Sequence, residues 1–244
     1  MAYSIFIPAR FDSTRLPGKP LADAGGKPLI QWVHEAACRS NAERVVIATD
    51  DERVLAAARA FGAEACMTGR GHASGTDRIC EAAGTIGLGH DAVIVNLQGD
   101  EPRMPGSLID EVARTLSDTG AAMATAAHAL SGAADADNPN VVKVVCDRNG
   151  DALYFSRSRI PYARQVQDDG SVFRHLGLYA YHYGYLRRFT SRAPTVLERT
   201  ECLEQLRALE YGDRIAVHVT ASAPPAGIDT AEDLEYFRRS LAGC

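Results

Sequence analysis

The chain has 244 residues, 46% of them hydrophobic, and a formal net charge of −5. That length suits one well-packed α/β domain, and the acidic balance argues against a general nucleic-acid binder, which presents a basic face. Six scattered cysteines with no Cys-x-x-Cys pair give no zinc or thioredoxin-type signal, and no apolar run reaches membrane-spanning length, so a cytoplasmic protein is expected, with no membrane partner.

In chain order, Ser4–Pro8 reads as a buried first strand. Pro28–Ser40 carries Leu29, Ile30, Val33 and Ala37 on one helical face, and Arg44–Thr49 is a second apolar strand. Asp51–Phe61 is expected to be helical, with Asp50 or Asp51 as N-cap and Gly62 as the stop. A short strand, Glu64–Met67, precedes a helix over Thr76–Ile86, the apolar strand Asp91–Leu97 and a helix over Pro105–Leu116. This βαβ alternation, with strands apolar on both faces, predicts an α/β fold: a mostly parallel twisted sheet flanked by helices.

Beyond about Ala121 the pattern changes. Val141–Asp147 and Ala152–Ser156 predict a hairpin turning at Asp147-Arg148-Asn149-Gly150. Leu197–Leu209 predicts a helix with Leu203, Leu206 and Leu209 inward, Ile215–Val219 a strand, and Thr230–Arg239 a closing helix. Nine of the sixteen Phe and Tyr residues fall within 153–189, which suits a subunit contact or an ordinary local core equally. The expected organisation is a single domain over 1–244, with roughly 130–195 an inserted antiparallel, aromatic region covering one end of the sheet.

Three segments carry chemistry. The loop after the first strand, Pro8-Ala9-Arg10-Phe11-Asp12-Ser13-Thr14-Arg15-Leu16-Pro17-Gly18-Lys19, places three cations beyond a strand end, where ligands of open α/β sheets bind. Arg10 and Arg15 can grip phosphate oxygens in a fork and Lys19 can act as a point charge, which suits a polyanion such as a nucleoside triphosphate. The loop matches neither the Walker A nor the Rossmann glycine pattern. The strand Val93–Leu97 runs into Gln98-Gly99-Asp100-Glu101-Pro102. There Asp100 is placed either to bind Mg²⁺ or to shape the turn. Asp229, between a strand and a helix, is a second candidate ligand or an N-cap. In His72-Ala73-Ser74-Gly75-Thr76-Asp77-Arg78, small residues at a helix start allow backbone amides to approach an anion or a base.

Taken together, these runs resemble one family in order and spacing. Besides the opening loop and Asn96–Pro102, the resemblance is carried by Asn138-Pro139-Asn140-Val141-Val142-Lys143, Tyr154-Phe155-Ser156-Arg157, Arg174-His175-Leu176-Gly177 and Gly227-Ile228-Asp229-Thr230. Over essentially its whole length the chain resembles the 3-deoxy-manno-octulosonate (Kdo) cytidylyltransferases. The resemblance implies a nucleotide-diphospho-sugar transferase-like fold. It also implies Mg²⁺-dependent transfer of CMP from CTP to Kdo for lipopolysaccharide synthesis, and a homodimer.

Carried over by position, it implies triphosphate binding by Arg10, Arg15 and Lys19, with Arg10, Lys19 and Asp100 catalytic. It implies magnesium binding by Asp100 and Asp229, and cytidine contacts from Ala73, Ser74 and Arg78. Gln98, Arg157, His175 and Glu204 match sugar-site positions. Phe11-Asp12 and the stretch 221–226 depart from the family pattern, which bears on sugar preference more than on reaction type. The alternatives are CMP activation of 8-amino-Kdo or a nonulosonate, and a non-catalytic nucleotide-binding protein.

Overall fold

The computed structural model describes residues 1–13, 15–130, 133–164 and 172–242. Strands β1 (Ser4–Ala9), β2 (Arg44–Thr49), β3 (Glu64–Met67) and β4 (Val93–Leu97) lie parallel in the order β3-β2-β1-β4. The sheet continues through β5 (Met123–Ala129), β8 (Phe173–His182) and β9 (Ile215–Thr220), in the order β4-β8-β5-β9. Only β8 of this path is antiparallel to its neighbours. The hairpin of β6 (Lys143–Cys146) and β7 (Ala152–Ser156) joins the amino-terminal end of β8 through Lys143↔Arg174 and Val144↔Phe173.

Alternation along β1 shows why both faces of the sheet need helices. Ile5 and Ile7 point to one face and Phe6 to the other, and all three are fully buried. Each such side chain contributes on the order of 1.5–3 kcal/mol. The first face is covered by α1 (Leu29–Ala37), α2 (Glu52–Ala60) and α4 (Gly106–Thr119), through Ile30, Val33, Val54 and Leu108 among others. The second carries α3 (Gly75–Thr85) and α6 (Tyr183–Ser191), through Ile79, Ala82, Leu186 and Phe189. The short helices α5 (Ala133–Asp137), α7 (Val196–Glu201) and α8 (Leu206–Glu210), the closing helix α9 (Ala231–Ala242) and a 3-10 turn over Lys19–Leu21 complete the described elements. Leu29, Ile228, Leu234 and Phe237 form a separate small core with Trp32, whose ring meets Phe237 edge-on at 5.6 Å. This core seats α9 beside the loop that follows β1. No described helix is long and apolar enough to cross a membrane.

The local signals in the first half lead to the expected elements. Asp51 caps α2 by accepting from the Arg53 amide at 2.9 Å, and Gly62 ends the segment at φ +83°. The hairpin turn closes as Asp147 Oδ1 accepts from the amides of Asn149 and Asp151 at 2.8 and 2.9 Å, with Gly150 at φ +85°.

Three features differ from the sequence expectation. Met-Ala-Thr-Ala-Ala-His-Ala at 123–129 has little strand propensity, yet it forms β5 because its backbone pairs with β8 and β9 and its small side chains pack on both buried faces of the sheet. β8 is no cover at the end of the sheet but runs through its middle, so only the β6–β7 hairpin stands outside the main strand path. The helix expected over 197–209 is two helices, broken where Cys202 takes a left-handed conformation at φ +52°. There Arg157 Nε and Nη2 donate to the carbonyls of Glu201 and Cys202, holding them where a continuing helix would need them.

Candidate active site

Because β1 to β4 are parallel, their carboxyl ends share one edge of the sheet, and the loops after β1, β3 and β4 meet there. Close backbone approach at this edge depends on glycine. A Cβ on Gly99 would lie 2.7 Å from the Pro8 carbonyl oxygen, and one on Gly75 would lie 3.0 Å from Pro8 Cγ. The three loops enclose an open cavity of about 300 Å³.

Two aspartates from distant parts of the chain converge in it. The Ile228 amide donates to the Asp100 carbonyl at 2.8 Å, a backbone link that sets Asp229 beside Asp100. Between them stands Lys19, whose Nζ donates to Asp100 Oδ2 at 2.7 Å and to Asp229 Oδ1 at 3.0 Å. Arg15 reaches the same Asp229 oxygen at 3.0 Å from an exposed position. Glu101, packed behind this group, is pushed up to about 8 by burial and by the negative charge of Asp100. Hard carboxylate oxygens sharing one cation form a donor set that suits Mg²⁺.

Arg10, Ala73, Ser74 and Arg78 line the same cavity. Ser74 and Asp77 form a capping box that opens α3. Arg78 is held from behind: Nη1 donates to Thr68 Oγ1 at 2.6 Å and Nη2 to Asp50 at 2.8 Å. A guanidinium so fixed presents an ordered cation to the cavity.

Gln98 lines this cavity and also a deeper one of about 170 Å³, walled by Thr76, Tyr179, Tyr181, Phe189, Glu204 and Gln205 among others. Thr76 Oγ1 donates to Glu204 Oε2. Glu204 Oε1, Gln205 Nε2 and the Tyr181 hydroxyl are buried with no hydrogen-bond partner among the described residues, although Glu204 Oε1 lies 3.7 Å from the Arg207 guanidinium. Orphaned buried polar groups are costly unless a ligand or water satisfies them. Burial also raises the Glu204 pKa.

Of the sequence-predicted residues, Arg10, Arg15, Lys19, Ala73, Ser74, Arg78, Gln98, Asp100 and Asp229 meet in the first cavity, and Glu204 lines the second. Arg157 and His175 line neither. Arg157 donates to the carbonyls of Pro139, Glu201 and Cys202 and so secures the α7 break behind Glu204. The half-buried His175 imidazole packs against Phe155 and Tyr179 and lies 3.1 Å from Thr125 Oγ1, and loss of solvation lowers its pKa to about 3. It therefore stands beside Tyr179 on β8, neutral at ordinary pH.

Residues 4–215 match the family model described as "Cytidylyltransferase". A 3-deoxy-manno-octulosonate cytidylyltransferase of Pseudomonas fluorescens is 53% identical over 98% of this chain and 98% of its own. One of Aliivibrio fischeri is 50% identical over 99% of this chain and the whole of its own. The chain belongs to the 3-deoxy-manno-octulosonate cytidylyltransferase family. A solved structure of CMP:2-keto-3-deoxy-manno-octonic acid synthetase complexed with CTP superposes with a TM-score of 0.92 at 42% identity, covering 99% of this chain and 98% of that one. A cytidylyltransferase from Leptospira borgpetersenii shares the fold alone, at 17% identity and a TM-score of 0.62.

In this family member, sequence reasoning missed Thr76, Tyr179, Tyr181, Gln205 and Glu101. Gln205 left one signal: Glu204-Gln205 is a polar pair inside the leucine-spaced run Leu203–Leu209. The tyrosines left none beyond local aromatic density.

Proposed function

We propose that the chain transfers the cytidylyl group of CTP to Kdo, releasing pyrophosphate and forming CMP-Kdo, the activated sugar acid for lipopolysaccharide assembly. The anomeric hydroxyl oxygen forms a bond to the α-phosphorus as the bond to the β-phosphate oxygen breaks, and the hydroxyl proton is released. The chain's part is positioning and charge stabilisation. Lys19, Arg10 and Arg15 bind the triphosphate and offset charge gathering on the departing pyrophosphate. Asp100 and Asp229 would hold Mg²⁺, which when bound supplies Lewis-acid polarisation at the phosphate oxygens.

The observation that carries the sugar assignment is the second cavity. Its Glu204 Oε1, Gln205 Nε2 and Tyr181 hydroxyl, none of them hydrogen-bonded among the described residues, offer one acceptor, one donor and one hydroxyl, and Gln98 connects it to the cation-lined cavity. That chemistry suits a polyhydroxylated acid whose reactive end faces the nucleotide. His175 and Arg157 then support the sugar pocket from behind, through Tyr179 and through the break before Glu204.

The reading brings with it a cytoplasmic location and a homodimer. Exposed Leu153 on β7, a strand that pairs with β6 alone among the described strands, is favourable to a subunit contact there. Sedimentation velocity tests the dimer.

Pyrophosphate release from CTP and Mg²⁺ is the deciding assay, run with Kdo, 8-amino-Kdo, sialic acid or no sugar. Release that needs Kdo and stops with EDTA is expected. Release with another acid alone would replace the sugar, and CTP binding with no release from any acid would leave a nucleotide-binding protein.

A further inference from the structure

The loop from Thr68 to Ser74 connects β3 to α3, and its second half puts His72, Ala73 and Ser74 on the first cavity. Its two ends are firmly held. The Thr68 amide donates to the Thr49 carbonyl at 2.8 Å, and the Ser74–Asp77 capping box fixes the far end. In between, the carboxylate of Glu81, on α3, gathers the loop. Both of its oxygens accept from the Gly69 amide at 3.1 Å, and Oε2 pairs with His72 Nε2. Arg78 holds Thr68 at the start of the loop at 2.6 Å but reaches the Gly69 carbonyl only at 3.5 Å. These bonds favour the carboxylate form of Glu81, whose pKa lies below the usual range despite partial burial.

We propose that Glu81 is a positioning residue for nucleotide binding, latching the Gly69–Ala73 segment through His72 and the Gly69 amide so that the loop is ordered before the nucleotide arrives. The inference rests on CTP as the occupant of the first cavity and adds residues to that site. Glu81 is not itself among the residues lining the cavity, so its effect must pass through the loop. Without the latch, binding has to order the loop, and that entropy cost is taken from the affinity. The cost falls on the nucleotide, because the sugar cavity is bounded by other elements.

The test compares Glu81→Ala, Glu81→Gln and His72→Ala in the full chain. CTP affinity is read by calorimetry without sugar, the kcat and both KM values by pyrophosphate release, and folding by Tm. Glu81→Ala is expected to weaken CTP binding and raise the KM for CTP about tenfold, the size of one charge-assisted hydrogen bond. The kcat and the KM for Kdo should stay within about twofold. Glu81→Gln, which keeps an oxygen for the Gly69 amide, should recover part of the loss. If Glu81→Ala does not fold, Glu81→Gln and His72→Ala carry the comparison, each weakening CTP binding selectively. Unchanged CTP affinity in the Glu81 variants overturns the proposal, as does a loss confined to His72→Ala or shared equally by kcat and both KM values. If the wild-type chain binds CTP but transfers nothing to Kdo, the transferase reading fails, and calorimetry still decides the latch.

Discussion

Lys19 Nζ sits 2.7 Å from Asp100 Oδ2 and holds Asp229 at 3.0 Å with the same ammonium group. The Lys19 side chain is only 13% exposed, so removing it leaves two converging carboxylates facing one another in a partly desolvated site. The ion pair is therefore a device of the site more than a contribution to stability.

Lys19→Ala is expected to lower kcat/KM for CTP by roughly 10- to 150-fold, the equivalent of about 1.5–3 kcal/mol for a charged hydrogen bond. Steady-state kinetics at saturating Kdo checks this. Unchanged constants would make Lys19 a bystander.

Asp100→Asn keeps the side-chain volume and removes the negative charge. Turnover should be nearly abolished while the circular dichroism spectrum and Tm stay close to wild type. The same substitution should remove Mg²⁺-dependent enhancement of CTP binding in calorimetry. Near-normal activity in this variant would take Asp100 out of the metal site.

Glu204→Gln removes the charge of a carboxylate whose Oε1 makes no hydrogen bond in the inner cavity and faces the Arg207 guanidinium at 3.7 Å. The expected effect is a rise of at least about tenfold in the KM for Kdo, with CTP affinity within about twofold. A change that fell on CTP alone would move the sugar elsewhere.

His175 gives a pH signature. Its unfolded form titrates near 6.5 and its native form near 3. Between those values the unfolded chain binds a proton that the native chain does not. Its contribution to stability therefore falls as pH drops below 6.5, by up to about 1.4 kcal/mol per pH unit, and the group is neutral in both states above it, while Glu101, raised to about 8 in the native chain, acts in the opposite sense over the same range. Urea unfolding at pH 7.5, 6 and 5 should show the His175 contribution as a difference, the wild-type chain losing stability relative to His175→Gln as pH falls from 6 to 5. Equal slopes would show that His175 is not the group responsible.

Gly99→Ala should destabilise the chain by about 1–3 kcal/mol, since its Cβ would lie 2.7 Å from the Pro8 carbonyl and the backbone would have to move. The displaced loop carries Asp100, so CTP binding should weaken too. A wild-type Tm with normal CTP affinity would mean that this edge yields more readily than its geometry indicates.

Much of the first half was legible because its signals are local. Apolar runs of strand length, the Asp51 cap and the Gly62 stop act over a few residues, and the cations of the opening loop lie within ten positions of one another. The second half resisted where neighbours decide the outcome. The alanine-rich segment 123–129 becomes β5 only because β8 and β9 flank it. The leucine spacing over 197–209 promised one helix, and carbonyl contacts from Arg157, some forty-five positions away, break it at Cys202.

The sequence by itself determined the α/β class, the cation loop and the aspartates that can serve a triphosphate, since periodicity and residue chemistry are properties of short segments. Only the tertiary structure decided that Asp229 joins Lys19 across 210 positions, and that Glu204 Oε1 and Gln205 Nε2 end without a hydrogen bond in a cavity behind Gln98. Those placements arise from packing and backbone hydrogen bonds between elements far apart in the chain, and no local pattern encodes them.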